Sequence, residues 1–213
     1  MKKHEYIFRY YLPIAPHFDR NMAEKRFEEL LAFCRRASVE TVMFYVALDP
    51  NWYYMSDSVE EAMDAVTQMR PYIARLREAG IGYHINFQNL LGSVCGGADF
   101  TEKFSWECLV DHRGIPSHGC ACPIGKEFRR QTEKRLRLWA ETEPDVIWLD
   151  DDLRLHNHGT PLWAAKEGNA PYLDYYCFCD THIGLFNEKY GTSYTREALV
   201  SEITKEGIPS PIR

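Results

Sequence analysis

The stretch Thr41-Val42-Met43-Phe44-Tyr45-Val46-Ala47-Leu48 is apolar throughout, stops at Asp49-Pro50, and decides how the rest of the chain reads. An unbroken apolar run of strand length marks a strand buried on both faces, the usual state in a parallel sheet. Behind it, Ser58 and Glu61 have the spacing of a capping box. Ala62, Val66, Met69, Ile73 and Leu76 then recur at helical spacing up to Gly80, with Pro71 as an expected kink. Residues 81–88 read as the next strand. Upstream, residues 6–15 are rich in aromatic and β-branched residues. Residues 21–37 follow as a helix, with Asn21 and Glu24 as a cap pair and Phe27, Leu30, Leu31 and Cys34 as its apolar stripe. Downstream come a helix over 124–142, a strand over 145–150, and helical regions over 182–190 and 195–203.

Strands that alternate with helices imply parallel βαβ units, because a parallel crossover needs a dozen or more residues. The connections after the strands are long and carry the unusual residues, whereas those before them, at Ala79-Gly80 and Glu143-Pro144, are short. That asymmetry belongs to an α/β chain of the (β/α)8 TIM-barrel kind, whose sites lie on the loops that follow the strands. A doubly wound sheet is the rival. It would carry a Gly-rich phosphate loop after the first strand, where this chain has residues 13–19. The expected architecture is a single domain over 1–213, a partial barrel with about the first four βα units and a zinc-binding loop region at 120–182. Four parallel strands leave two open edges, so either a homo-oligomer or the remainder of a longer polypeptide is expected to complete the wall.

A net charge of −6 and the absence of any Lys/Arg cluster argue against nucleic acid and a membrane surface as partners. No apolar run reaches the length of a transmembrane helix, and Met1-Lys2-Lys3-His4-Glu5 does not open a signal peptide, so a cytoplasmic location is expected. In that compartment the seven cysteines read as thiols or metal ligands rather than disulfides.

Cys177-Phe178-Cys179-Asp180-Thr181-His182 places two thiolates and an imidazole within six residues at the opening of a helix. Tetrahedral zinc takes such ligands and needs a fourth, for which Cys122 in Gly119-Cys120-Ala121-Cys122-Pro123 is the candidate, with Cys120 as the fallback. The expected cofactor is one structural zinc on Cys122, Cys177, Cys179 and His182.

The strand ends carry a second group of polar residues. Alternation puts His84, Asn86 and Gln88 on one face of their strand and Tyr83, Ile85 and Phe87 on the other. Asp49, Asn51 and Trp52 follow the second strand, where an aromatic ring could stack on a sugar and the polar groups could bind hydroxyls. Arg9 is the candidate on the first strand. The fourth strand ends in Asp150, Asp151 and Asp152, followed by Arg154, His156 and His158. Adjacent carboxylates raise the pKa of at least one among them, which makes it a better proton donor near neutrality. The three aspartates are the candidate catalytic groups. The other strand-end residues are the candidate substrate-binding set for a carbohydrate. A metal site built from the aspartates with His156 and His158 is a second possibility.

Cys122-Pro123, the Trp-containing Asp145-Val146-Ile147-Trp148-Leu149-Asp150, the Cys177-to-His182 cluster and Leu185-Phe186-Asn187-Glu188-Lys189-Tyr190-Gly191-Thr192 together resemble the N-terminal half of the barrel domain of glycoside hydrolase family 42 β-galactosidases. The resemblance implies hydrolysis of O-glycosidic bonds by a carboxylate acid/base at the end of the fourth strand. Two departures stand out. The family's Asn-Glu pair is replaced by Asp150-Asp151-Asp152-Leu153, and its third cluster cysteine by His182. Its nucleophilic Glu lies on the seventh strand, beyond the units read here. A retaining reaction needs two carboxylates about 5–5.5 Å apart. The readings that compete are a non-catalytic carbohydrate-binding or structural barrel fragment, and a metal-dependent hydrolase.

Overall fold

The structure, a computed structural model, describes residues 6–14, 20–45, 57–87, 100–149 and 177–205. In chain order its elements are β1 (Ile7–Tyr10), α1 (Arg20–Ala37), β2 (Thr41–Tyr45), α2 (Val59–Glu78), β3 (Gly82–Phe87), a 3-10 turn (Phe100–Glu102), β4 (Cys108–Val110), β5 (Pro116–Ala121), α3 (Lys126–Ala140), β6 (Val146–Leu149), α4 (Asp180–Tyr190) and α5 (Arg196–Thr204). They gather into two compact units. The first contains β1 to β3, α1, α2, β6 and α3 from Gln131 onward; the second contains β4, β5, α3 up to Arg130, α4 and α5.

In the first unit the sheet order is β1-β2-β3-β6, and every neighbouring pair is parallel. Strands follow one another in sequence order with no reversal, whereas a doubly wound sheet reverses at its switch point. The helices supply a second criterion. Phe27, Leu30 and Leu31 of α1, Val66, Met69, Ile73 and Leu76 of α2 and Trp139 of α3 join one buried cluster with Val42, Phe44, Tyr83, Ile85 and Phe87. Those five strand residues share one face of the sheet, and the cluster holds no residue from its other face. Sequential parallel strands backed by helices on one side are the wall of a (β/α) barrel.

Local chemistry explains the boundaries. The capping box at α2 is made: the Glu61 N–H donates to Ser58 Oγ at 3.1 Å, and the Ser58 N–H donates to Glu61 Oε2 at 2.6 Å. Pro71 is accommodated inside α2, which runs on to Glu78. Asn21 does not cap α1; the helix already includes Arg20. At the start of β3, the Tyr83 N–H donates to Asp145 Oδ2 at 2.9 Å and the Tyr83 hydroxyl donates to Thr142 O at 2.6 Å. Arg77 donates to the carbonyls of Thr142 and Glu143, each at 2.8 Å. These bonds tie down the turn before β6, and so the strand whose far end leads into Asp150.

The second unit contains an element the sequence pattern does not reveal. The antiparallel pair β4 and β5 is joined by a turn in which the Asp111 carboxylate accepts the N–H of Arg113 at 2.9 Å and of Ile115 at 2.8 Å. Its core is Phe100, Phe104, Trp106, Leu109 and Phe128, with Phe104 and Trp106 stacked at 3.9 Å between ring centroids. Three strand residues and a partner containing Pro, Ser and Gly give no readable alternation. Helix α3 also begins later than residue 124, because Cys122 to Gly125 forms a turn ahead of it.

Candidate metal centre and binding face

Cys122 leaves the end of β5 with its N–H donating to Glu107 O at 2.7 Å, and its own carbonyl accepts the Gly125 N–H at 2.9 Å. The turn is closed by a carboxylate, since Glu107 Oε1 accepts the Lys126 N–H at 2.8 Å at the start of α3. Burial pushes the Glu107 carboxyl up, but the N–H groups of Glu107, Lys126, Glu127 and Phe128 together outweigh it and hold the group below the usual carboxylate range. Gly125 is required by closeness: a Cβ there would run into the Glu107 carboxylate and stand 3.0 Å from Cys122 O.

The Cys177-to-Cys179 segment is held against β4. The Phe178 N–H donates to Val110 O at 2.8 Å, and the Val110 N–H donates to Cys177 Sγ at 3.5 Å. Cys179 occupies the N-cap position of α4, and its carbonyl accepts the Ile183 N–H at 3.1 Å. His182 therefore stands in the first turn, three residues on and facing back over the cap.

The four side chains meet. Cys122 Sγ lies 4.0 Å from Cys177 Sγ, 3.9 Å from Cys179 Sγ and 3.7 Å from His182 Nδ1, and Cys179 Sγ lies 3.2 Å from that nitrogen. All four ligand atoms fall within 4.8 Å of one another. A regular tetrahedron with zinc–sulfur bonds of about 2.3 Å has edges of ~3.8 Å, so the donor set and its spacing fit that ion. Cys122 is 2 % exposed and Cys177 9 %, as suits a closed site. Cys120 is not part of the cluster; its thiol points to Ala121 O at 3.8 Å. The described cysteines all carry free thiols.

The thiols are shifted in opposite directions. A proton shared with Cys122 lowers Cys177 to about 5, and the N–H groups of Val110 and Cys179 and the nearby His182 help against burial. The same sharing, with burial, drives Cys122 upward, and burial raises Cys179. A depressed pKa stabilises the fold above the unfolded value and loses that contribution as pH falls through the folded one. With metal chelated, stability should therefore decline from about pH 8.5, the ordinary thiol value, down to about 5. Thiolate ultraviolet absorbance should titrate over that range and weaken in Cys177→Ser; an unchanged titration in that variant would contradict the lowering of Cys177.

In the first unit, the face of the sheet opposite the helices mixes polar and apolar residues. Register aligns Arg9, Met43, His84 and Val146 in one row and Tyr45, Asn86 and Trp148 in the next. Arg9 stacks its guanidinium over the Tyr45 ring at 4.8 Å, and Asn86 Nδ2 donates to Met43 Sδ at 3.6 Å. Trp148 Nε1 donates to His84 Nδ1 at 3.0 Å. An indole N–H can only donate, so Nδ1 must be the acceptor and His84 carries its proton on Nε2. Trp148→Phe should release that tautomer, visible as a changed nitrogen-15 shift of Nδ1; an unchanged spectrum would argue against the bond. His84 and Asn86 are each 3 % exposed and Trp148 is 42 % exposed, so the tryptophan is the solvent-facing member.

Of the residues expected from sequence, Arg9, His84 and Asn86 share this face, and Cys122, Cys177, Cys179 and His182 converge in the second unit. Asp49, Asn51, Trp52, Gln88, Asp150, Asp151, Asp152, Arg154, His156 and His158 lie outside the described residues. Met43, Tyr45 and Trp148 were not expected on this face. A period-2 reading of residues 41–45 would have found the first two, but the unbroken apolar run hides it.

No protein-family profile and no curated protein matches the sequence. Among solved structures, the chain is similar to a noncanonic maltogenic α-amylase from Thermotoga neapolitana, with 14% identity and a TM-score of 0.47 over 70% of this chain and 39% of that one. It is also similar to the trehalulose synthase of Pseudomonas mesoacidophila, with 11% identity and a TM-score of 0.38 over 68% of this chain and 34% of that one. A family GH13_31 enzyme gives 15% identity and a TM-score of 0.41 over 88% of this chain and 45% of that one. The chain thus spans less than half the length of each. No helix among the described residues is long and apolar enough to cross a membrane.

Proposed function

We propose that this chain is part of a barrel glycoside hydrolase of the family 42 β-galactosidase type, acting on O-glycosidic bonds. Asp150, Asp151 and Asp152 form its acid/base region. The observation that carries this reading is the sheet. Four sequential parallel strands carry Arg9, His84 and Asn86 on one face, and Asp150 follows directly on the last of them. The loops after barrel strands are where such enzymes build their sites. On that face Trp148, at 42 % exposed, offers a ring for stacking on a sugar.

Cys122, Cys177, Cys179 and His182 are proposed to hold one zinc. A closed four-ligand site supplies folding energy, not a reaction step. A thiolate cluster of this kind fits a reducing, cytoplasmic setting. Within the reaction, one aspartate would protonate the leaving oxygen; the nucleophile is not among the residues identified here. The test is a panel of aryl glycosides offered to the full polypeptide that carries this sequence. Aglycone release from at least one member is expected. A folded, zinc-loaded protein that cleaves none of them and binds no oligosaccharide would remove the proposal.

A further inference from the structure

The geometry points to Arg196 as the positioning residue of the thiolate loop, fixing the Phe178–Cys179 peptide so that the loop's sulfurs meet Cys122 and His182. This rests on the zinc reading of the cluster and deepens it. The two peptide groups that flank Phe178 are each held. The N–H of the Cys177–Phe178 peptide goes to Val110 O at 2.8 Å, and the carbonyl of the Phe178–Cys179 peptide accepts Arg196 Nε at 2.9 Å. Because these two peptides join the cysteines, the first bears on where the Cys177 sulfur points and the second on where the Cys179 sulfur points. Val110 holds the Cys177 side of the loop, through the Phe178 N–H and the Cys177 sulfur, and Arg196 holds the carbonyl on the Cys179 side. Removing Arg196 loosens the Phe178–Cys179 peptide and with it the Cys179 thiol.

Arg196 is itself well placed for this task. Thr195 caps α5 by accepting the Ala198 N–H at 3.2 Å, which fixes Arg196 in the first turn of that helix. Its side chain is 23% exposed, and it packs so closely on the β4–β5 turn that a Cβ at Gly114 would stand 3.0 Å from Arg196 Nη1. Its other fork nitrogen reaches Asp180 Oδ1 at 3.0 Å, but that carboxylate is 97% exposed and contributes little. The carbonyl bond is the one shielded from water. Outer-shell partners of this sort typically alter metal affinity by about 10–100-fold when removed.

Zinc-loaded wild type, Arg196→Lys, Arg196→Ala and Asp180→Asn would be mixed with a chromogenic chelator, and the same proteins titrated with cobalt(II). Lysine keeps the charge but cannot reproduce the planar fork, so it carries the test if the alanine variant does not fold. Both Arg196 variants should release zinc about 10–100-fold faster. Their cobalt(II) spectra should depart from the tetrahedral pattern of wild type, while Asp180→Asn should match it. Wild type that loads normally beside an Arg196→Lys protein with the same release rate and spectrum would overturn the positioning role alone. Wild type that takes up neither ion would overturn the zinc reading, and Arg196's role with it.

Discussion

Cys177→Ser is expected to lose its zinc and to melt well below wild type. Serine keeps nearly the same volume, so the substitution removes a ligand without opening a cavity. A metal at about a thousand times its dissociation constant stabilises the folded state by about 4 kcal/mol. In a chain of this length each kcal/mol moves the melting temperature by about 2–4 °C, so a fall of roughly 8–16 °C is expected. The same fall should follow from chelating wild type, and the two treatments should not add. Cys120→Ser should keep its metal, since that thiol lies outside the cluster. Metal analysis beside thermal melts checks both points. Wild type without zinc, or a Cys177→Ser protein that retains it, would contradict the assignment.

Asp152→Asn is expected to lower kcat by about 100- to 10,000-fold, the usual contribution of a positioned acid or base. Asn keeps the volume and the hydrogen-bonding ends but cannot deliver the proton, so the melting temperature should stay put. Asp152 is preferred because it takes the position of the family's Glu when the acidic ends are aligned. An alignment on Trp148 without a gap puts Leu153 there instead. Asp150→Asn and Asp151→Asn therefore belong in the same measurement. Three variants that all turn over glycosides at the wild-type rate would dismiss the acid/base region.

Much of the first unit was legible because its signals are local. Thr41 to Tyr45 is apolar because helices cover one face and Met43 and Tyr45 meet neighbouring strands on the other. Ser58 and Glu61 make their reciprocal bonds within one turn, so spacing alone reveals them. The convergence of Cys122 with Cys177, Cys179 and His182 was legible for a different reason: few other roles bring those side chains to such spacing. What stayed hidden depends on contacts far apart in the chain. The β4–β5 pair is too short for a pattern and is held by the Asp111 turn and an aromatic core. Arg196 reads as an ordinary surface arginine until α5 brings it to Phe178 O. Trp148 lies in the strand read over 145–150, but its solvent exposure and its indole bond to His84 appear only in the fold.

In the function proposed above, a metal holds the fold and carboxylates do the chemistry. The most direct measurement is aryl glycoside hydrolysis by the full polypeptide, before and after a brief exposure to chelator too short to empty a closed site. Aglycone release at an unchanged rate is expected, lost in one of the Asp150, Asp151 or Asp152 asparagine variants. Turnover that stops at once on chelation and returns with added divalent metal would contradict it, and would assign the chemistry to a metal held by the aspartates with His156 and His158.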